Sequence, residues 1–309
     1  MSPLPVILDC DPGHDDAIAL VVAARHTELL GITTVAGNAP LADTTRNAIV
    51  LRDLLDIDVP VHSGAGRPLV REPRHAAKVH GASGLDGADL PAPSGPPDGT
   101  DAVEFIVETC RARDGVWLVP TGPLTNVALA LRTAPDLAGR IAGISLMGGG
   151  TFGNWSPVAE FNILFDPEAA AAVFAYGGPL VMSGLDLTHK FQALPHRIDM
   201  VRALPGKLAA VLADLLEFFS GTYRSRHKSI GGAAVHDPLA VMALTHSDLF
   251  TRELRHVQVE TAGALTAGMT VIDRRDLIEV PDPNCDIQVD LDADAAWDVV
   301  VEAIGAFSR

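Results

Sequence analysis

The sequence predicts a single-domain α/β protein, with a largely parallel sheet flanked by helices on both faces. Short apolar runs rich in β-branched residues alternate with amphipathic stretches of helical periodicity, as in repeated strand–helix–strand units. No linker divides residues 1–309, because the Gly- and Pro-rich segment at residues 87–100 has such units on both sides. This segment is therefore predicted to be a surface loop within one domain.

The elements can be placed in order along the chain. Each strand is a short, mostly apolar run, and each helix has an apolar face of period 3.6. The predicted strands are Val6–Asp9, Leu29–Val35, Val116–Pro120, Ile144–Met147, Leu180–Ser183 and Ile287–Leu291. The predicted helices are one that ends near Arg25, Leu41–Leu55, Pro123–Arg132, Asp166–Tyr176, Lys207–His227, Leu239–Leu244 and one from Asp294. A hairpin is predicted for His256–Ala262 and Thr270–Ile272.

The composition excludes several classes of partner. The formal net charge is −16, so the chain lacks the basic surface that binding to nucleic acid or an anionic membrane requires. No apolar stretch reaches membrane-spanning length, and the N-terminal apolar run ends in aspartates, unlike a signal peptide. The three cysteines have no CxxC spacing, which predicts neither a disulfide framework nor a zinc site. Together these features predict a cytoplasmic protein with a small neutral or cationic ligand.

Four carboxylates crowd into the eight residues from Asp9 to Asp16, directly after the first predicted strand. Pro12 and Gly13 form a turn, and Asp15 and Asp16 fall in the first turn of the next helix. An N-cap role explains one or two of these aspartates. Four like charges this close either shift their pKa values strongly or share a hard cation such as Ca²⁺. The cluster lies at the carboxyl end of a strand, where open α/β sheets bind ligands.

Two further motifs follow later strands. Residues 119–126, with the sequence VPTGPLTN, expose backbone carbonyls that can serve as neutral oxygen ligands for Ca²⁺. The MGGG stretch at residues 147–150 lacks both the P-loop lysine and G-x-G-x-x-G spacing. Binding of a nucleoside triphosphate is therefore not expected.

Polar side chains that suit a sugar come next. Asn154, Glu160 and Asn162 supply hydrogen-bonding groups for hydroxyls, although isolated polar residues in a loop would mean little. The His-Asp-Pro sequence at residues 236–238 adds a fifth acidic residue before an apolar helix. This aspartate can be a helix N-cap followed by proline, a metal ligand, or both.

Together these motifs resemble the nucleoside hydrolase family of the inosine-uridine preferring type. The motifs are DCDPGHDDA at residues 9–17, PTGPLTN at 120–126, MGGG at 147–150, EFN at 160–162 and HDP at 236–238. The resemblance implies a Ca²⁺-dependent enzyme that splits the N-glycosidic bond of a ribonucleoside into ribose and free base. It also implies an assembly of two or four copies of the chain.

The resemblance assigns roles to individual residues. Asp11 matches the residue that contacts Ca²⁺ and takes a proton from the attacking water. The other metal ligands are matched by Asp16, Asp237 and the backbone carbonyl of Thr121. The candidate substrate-binding residues are Asp15, Asn38, His80, Met147, Asn154, Glu160, Phe161 and Asn162. Such an anionic, oxygen-rich cradle suits the oxocarbenium-like transition state of glycosidic cleavage.

The nucleobase contacts are less defined by the motifs. His236 is the candidate acid for the leaving base, because an unperturbed histidine has a pKa of about 6.5. In the segment 223–229, relatives place residues, often aromatic or amide, that help recognise the base, whereas this chain has one tyrosine among several cations. Arg224, His227 and Lys228 are therefore candidate contacts for the base or its leaving group, and the alternative is that they face solvent. The sequence of residues 9–16 resembles that of bacterial pyrimidine-preferring relatives. This favours pyrimidine nucleosides as the substrates.

Two other functions stay open at the level of sequence. An apolar strand that ends in Asp-x-Asp also begins phosphatases of the haloacid dehalogenase type, although their pattern does not require Asp15 and Asp16. A non-catalytic nucleoside-binding protein with the same fold is the second alternative. The complete set of acidic residues argues against it, because a degenerate relative would be expected to have lost some of them.

Overall fold

The computed structural model describes residues 3–226, 231–275, 277 and 279–308. Its centre is an eight-stranded sheet of order β3-β2-β1-β4-β5-β6-β12-β9, parallel except for β9 at one edge. The strands are β1 (Pro5–Cys10), β2 (Glu28–Thr34), β3 (Val61–Ser63), β4 (Trp117–Pro120), β5 (Gly143–Met147), β6 (Leu180–Ser183), β7 (Gln192–Ala193), β8 (Ala233–Ala234), β9 (Phe250–Arg255), β10 (Val257–Val259), β11 (Thr270–Ile272) and β12 (Cys285–Leu291).

Helices cover both faces of this sheet. They are α1 (His14–His26), α2 (Leu41–Leu55), α3 (Ala77–His80), α4 (Ala102–Ala112), α5 (Thr125–Thr133), α6 (Phe161–Phe165), α7 (Pro167–Phe174), α8 (Leu185–Thr188), α9 (Pro195–Arg202), α10 (Gly206–Arg226), α11 (Pro238–Thr245) and α12 (Ala293–Phe307). Val6 and Leu8 of β1 pack with α1 and α10–α12, whereas Ile7 packs with α4, α5 and α7. Alternate residues of one strand therefore enter two cores, and the predicted α/β class is confirmed.

The order of the strands places a ligand site between β1 and β4. From β1 the chain winds outward to β2 and β3, then returns and winds the other way through β4, β5 and β6. The parallel register pairs Asp9 with Pro120, so β1 and β4 end side by side. Loops leaving the carboxyl ends of two such strands diverge, and the crevice between them is where open α/β sheets bind ligands.

Several elements differ from the sequence predictions. The predicted hairpin is confirmed as the antiparallel pair β10–β11. Strand β9 was not predicted, because its sequence FTRELR is polar and its outer positions are exposed at the sheet edge. Residues 87–100 contain no helix and no strand, as predicted for a surface loop. Among the described residues, no helix combines the length and the apolar character needed to span a membrane.

Candidate active site

Three carboxylates meet at the carboxyl edge of the sheet. One oxygen from each of Asp15, Asp16 and Asp237 lies within 4.8 Å of the other two, and all three side chains are buried. Asp15 and Asp16 belong to the first turn of α1, which follows β1 after a three-residue turn. Asp237 arrives from the start of α11. The fold thus joins two distant parts of the chain into one acidic group, which we call the carboxylate triad.

The direction of the Asp237 side chain shows whether this aspartate caps its helix, which the sequence leaves open. Asp237 occupies the N-cap position of α11 and Pro238 is the first residue, but the aspartate side chain makes no capping hydrogen bond. Its carboxylate instead faces Asp15 and Asp16. The aspartate is therefore an N-cap by position and a member of the triad by the direction of its side chain.

Asp11 lies beside the triad and is not one of its members. Its Oδ2 accepts a hydrogen bond of 2.6 Å from the backbone N–H of Asn38. Its Oδ1 is buried and has no hydrogen-bond partner among the described residues. A Cβ on Gly37 would lie 1.9 Å from Oδ2, and one on Gly122 would lie 2.6 Å from Oδ1. Glycines at the ends of two strands therefore make room for this carboxylate.

Thr121 connects the end of β4 to the acidic group. Its hydroxyl donates a hydrogen bond of 2.8 Å to Oδ1 of Asp16. Its backbone carbonyl accepts a hydrogen bond of 2.7 Å from the side-chain amide of Asn162. The backbone N–H of Gly13 donates to the other oxygen of Asp16 at 2.9 Å. Asp16 is thus held from both sides, and the Thr121 carbonyl oxygen lies within this network.

The acidic group requires a compensating positive charge. Burial raises the pKa of Asp15 to about 8, and the neighbouring Asp16 adds to this shift. Burial and the carboxylates around it also raise the pKa values of Asp11 and Asp237 well above their usual range. Without a cation the group must hold protons at neutral pH. Carboxylate and carbonyl oxygens are the ligands that hard divalent cations prefer, so the residues fit such an ion.

A pocket opens above the triad. Glu160 lies on its polar side as the N-cap of α6 and accepts hydrogen bonds from the backbone N–H groups of Gly149, Asn162 and Ile163. Burial nevertheless raises the pKa of Glu160 to about 7. These bonds fix a second carboxylate near the triad.

The other side of the pocket is aromatic. Phe219, Tyr223 and Arg226 line it from α10, at intervals of four and three residues. This spacing puts the three side chains on one face of the helix. Trp155 adds a further ring and contacts Phe161 edge to face, with 4.9 Å between the ring centroids. The pocket therefore offers polar groups at one end and flat apolar surfaces at the other.

His236 lies at this aromatic end within a chain of hydroxyl groups. Its Nε2 is 2.9 Å from the Tyr223 hydroxyl, and its Nδ1 is 2.7 Å from the Thr188 hydroxyl. Burial, together with the nearby His189, lowers the pKa of His236 well below its usual value. Burial raises the pKa of Tyr223. Both groups are therefore neutral near pH 7, and each ring nitrogen of His236 already has a hydroxyl partner.

Most of the predicted site residues meet in this pocket. The side chains or backbones that line it include Asp15, Asn38, His80, Thr121, Met147, Asn154, Glu160, Phe161, Asn162, His236 and Asp237. Asp11 and Asp16 lie in the buried layer beneath.

The predicted base contacts in the segment 223–229 have a different outcome. Arg224 does not line the pocket: it is exposed and forms an ion pair with Glu217, because it points to another side of α10 than Tyr223 does. His227 and Lys228 lie outside the described residues. The pocket is also lined by Trp155, Phe219 and Arg226, which no sequence motif indicated. The helical period through Tyr223 could have indicated the last two.

Comparisons with known proteins agree with this geometry. A family model described as inosine-uridine preferring nucleoside hydrolase matches residues 6–298. The pyrimidine-specific ribonucleoside hydrolase RihA of Shewanella sp. (strain MR-7) is 45% identical over 309 residues, covering 98% of this chain and 97% of the relative. RihA of Salmonella arizonae is 46% identical over 306 residues, covering 97% and 98%. The structure of a purine-preferring ribonucleoside hydrolase from Gardnerella vaginalis has a TM-score of 0.92 and 32% identity, covering 98% of this chain and 99% of that one.

The fold, the acidic pocket and these similarities define an enzyme that hydrolyses N-glycosyl bonds. Among such enzymes, the chain belongs to the inosine-uridine preferring nucleoside hydrolase family. The predicted family and reaction class are thereby confirmed, and the phosphatase alternative is excluded.

Proposed function

We propose that this chain hydrolyses pyrimidine ribonucleosides to ribose and free base with Ca²⁺ as its cofactor. The observation that carries the proposal is the carboxylate triad at the bottom of the pocket, next to Oδ1 of Asp11, which has no hydrogen-bond partner in the described part of the chain. The preference for pyrimidines is supported by the relatives named pyrimidine-specific, which are more similar in sequence than the purine-preferring structural neighbour. We further propose a cytoplasmic enzyme that assembles from two or four copies.

We assign the cation to the oxygen atoms around the carboxylate triad at the bottom of the pocket. Asp11, Asp16, Asp237 and the Thr121 carbonyl would hold it, all of them oxygen donors as Ca²⁺ prefers. When bound, Ca²⁺ supplies positive charge that orients the sugar hydroxyls and makes the attacking water more acidic. The triad would then be fully ionised, because the ion replaces its protons.

Asp11 is the proposed general base. Its Oδ2 is held by the Asn38 N–H, so Oδ1 is the atom that would take the proton from the attacking water. The hydrogen bond at Oδ2 would orient Oδ1 toward the carboxylate triad. A carboxylate with one committed and one uncommitted oxygen can bind and accept a proton without rearrangement.

The polar end of the pocket is the proposed ribose site. Carboxylate and amide groups for the sugar hydroxyls come from Asp15, Asn38, Glu160 and Asn162. Asn154 lines the same pocket. Positive charge develops on the sugar as the glycosidic bond breaks, and fixed negative charges lower its energy. The backbone hydrogen bonds that hold Glu160 prevent it from reorganising during the reaction.

The aromatic end is the proposed nucleobase site, and it modifies the role expected for His236. Both His236 ring nitrogens already contact hydroxyl groups, so the neutral His236 would act through Tyr223, whose hydroxyl it can orient toward the base. The leaving base would receive a proton or a strong hydrogen bond from this pair. Arg226 lines the same end and would favour negative charge on the departing base.

The test is release of ribose from uridine, cytidine, inosine and adenosine, measured as reducing sugar with Ca²⁺ and after chelation. Ca²⁺-restored release that is faster for the pyrimidines supports the proposal. Restoration by Mg²⁺ alone would contradict the assigned metal, and faster purine hydrolysis would contradict the assigned substrate. Stoichiometric nucleoside binding without turnover would support the binding-protein alternative.

A further inference from the structure

Two buried histidines, His14 and His80, are in contact beside the aromatic end of the pocket. His80 lines the pocket, whereas His14 is fully buried behind it at the start of α1. Their Nδ1 atoms are 3.1 Å apart. The His14 ring lies parallel to the rings of Phe218 and Phe219, with centroid distances of 5.3 and 5.0 Å. The pair is therefore rigidly packed, and its hydrogen bonds determine which ring nitrogens carry protons.

The backbone carbonyl of Asp86 fixes the proton on His14. This oxygen is 2.8 Å from His14 Nε2, and a carbonyl oxygen can only accept a hydrogen bond. His14 Nε2 must therefore carry a proton. In a neutral imidazole the other nitrogen is then an acceptor, so His14 Nδ1 accepts from His80 Nδ1. The proton of a neutral His80 is thereby placed on Nδ1, and its Nε2 has none.

Three contacts keep this arrangement in place. The backbone N–H of Asp86 donates to the carbonyl of His80, so the carbonyl that fixes His14 belongs to the loop that carries His80. The Asp86 carboxylate accepts from the backbone N–H groups of Ala82 and Ser83, which engages it within this loop. A Cβ on Gly13 would lie 2.6 Å from His80 Nδ1. The ring therefore rests directly on the turn before α1.

We propose that His14 acts as a positioning residue that fixes His80 as the Nδ1–H tautomer, so that the pocket presents an unprotonated Nε2 to the nucleobase. An acceptor at this point favours bases that carry a ring N–H, as uracil does at N3, over bases in which that hydrogen is replaced. In the described part of the chain the His80 ring makes its side-chain hydrogen bond at Nδ1, to His14, which leaves Nε2 for this contact. The proposal deepens the proposed function and rests on it.

The tautomer can be measured without substrate. In a two-bond ¹H–¹⁵N correlation spectrum of the ¹⁵N-labelled protein, His80→Gln identifies the signals of His80. We expect an unprotonated Nε2 and a protonated Nδ1 for His80, and the reverse pattern for His14. A protonated Nε2 on His80 would overturn the proposal, whatever the enzyme's activity.

The consequence for substrate selection is tested with uridine and 3-methyluridine, which differ in the ring N–H. We expect the wild type to favour uridine in kcat/KM by about tenfold or more, because a site built around a hydrogen bond rejects an analogue that lacks it. His14→Phe keeps the aromatic packing and removes the acceptor for His80. In this variant we expect the preference to fall to about twofold.

A matched control replaces a histidine that also stacks on an aromatic ring but lies elsewhere. His62 stacks on Phe105 outside the pocket, with 4.1 Å between the ring centroids. We expect His62→Phe to keep the full preference for uridine over 3-methyluridine. Equal hydrolysis of uridine and 3-methyluridine by the wild type would overturn the selectivity, even with the expected tautomer. Hydrolysis of neither nucleoside would instead overturn the proposed function itself, while the tautomer spectrum would still report on His14 and His80.

Discussion

At the scale of single residues, the site depends on carboxylates whose two oxygens have different surroundings. Oδ2 of Asp11 accepts from Asn38, and Oδ1 has no partner in the described chain. Asp16 differs, because Gly13 and Thr121 donate to its two oxygens. Two aspartates five positions apart therefore differ: Asp11 has an oxygen available for a proton, whereas both oxygens of Asp16 already accept hydrogen bonds.

The base role proposed for Asp11 predicts a large catalytic effect without loss of fold. In Asp11→Asn the side-chain oxygen can keep the Asn38 hydrogen bond, but the group can no longer accept a proton from water. We expect kcat for uridine to fall by at least ~10²-fold, with an unchanged circular dichroism spectrum. Asp101→Asn is the matched control, since Asp101 caps α4 away from the pocket and asparagine caps helices equally well. Near-normal turnover of Asp11→Asn would remove Asp11 from the base role.

The Tyr223–His236 pair predicts that substrates with different leaving groups respond differently. A nucleobase needs a proton or hydrogen bond as it departs, whereas 4-nitrophenolate is stable as an anion. We therefore expect Tyr223→Phe and His236→Ala to lower kcat for uridine by ~10²-fold and to lower hydrolysis of 4-nitrophenyl riboside by less than ~10-fold. Steady-state kinetics on both substrates checks this. Equal losses on the two substrates would argue that the pair has no part in leaving-group protonation.

At the scale of elements, one face of α10 forms the aromatic end of the pocket. Phe219, Tyr223 and Arg226 share that face, while Arg224 points elsewhere and pairs with Glu217. The sequence offers several cations in this segment and does not itself rank them. The helix geometry shows which cation shares a face with Tyr223, because residues three or four positions apart face the same way.

This helix geometry predicts different effects for two neighbouring arginines. Arg226→Ala removes a cation from the pocket, and we expect kcat/KM for uridine to fall about tenfold, the equivalent of about 1.4 kcal/mol. Arg224→Ala removes only an exposed ion pair, so its kcat/KM should stay within about twofold of the wild type, because such pairs contribute little. The two variants change the same charge on the same helix. A larger loss for Arg224→Ala than for Arg226→Ala would contradict the assignment.

At the scale of the whole molecule, strand order assembles the acidic group. Asp11 follows β1, Thr121 follows β4, and Asp237 is supplied by α11. Parallel strands place their carboxyl ends on one edge, and the change of winding direction between β1 and β4 leaves a crevice there. Packing carboxylates this closely is unfavourable without a cation, so cofactor binding and the stability of the fold are linked.

This linkage predicts how the stability of the metal-free protein depends on pH. Burial raises the pKa of Asp15 from 3.8 to about 8 in the folded state. Between these values the unfolded chain binds fewer protons, so the free energy of unfolding falls as pH rises from about 4 to about 8. Saturating Ca²⁺ replaces the protons, and we expect it to abolish this fall. Denaturant titrations at several pH values, with Ca²⁺ or with chelator, measure the effect. Constant or rising stability of the chelated protein across this range would contradict the prediction.

The sequence by itself determined the class of fold, the position of most elements and the chemistry of the acidic group. Those conclusions depend on local signals, since strand and helix periodicity, turn residues and a run of aspartates can all be read within a short window. The family resemblance extended this to residues such as Asn38 and Glu160, which the fold brings to one pocket. Strand β9 was not predicted, because an exposed edge strand lacks the apolar pattern of a buried one.

Only the tertiary structure decided which groups meet and in what orientation. It turned the Asp237 side chain from its helix toward Asp15 and Asp16, placed Arg226 in the pocket instead of Arg224, and set His236 behind Tyr223. It also joined His14 to His80 through the backbone of a distant loop. These outcomes depend on contacts between segments far apart in the chain. Helix phase and strand order fix such contacts, and no local stretch of sequence contains them.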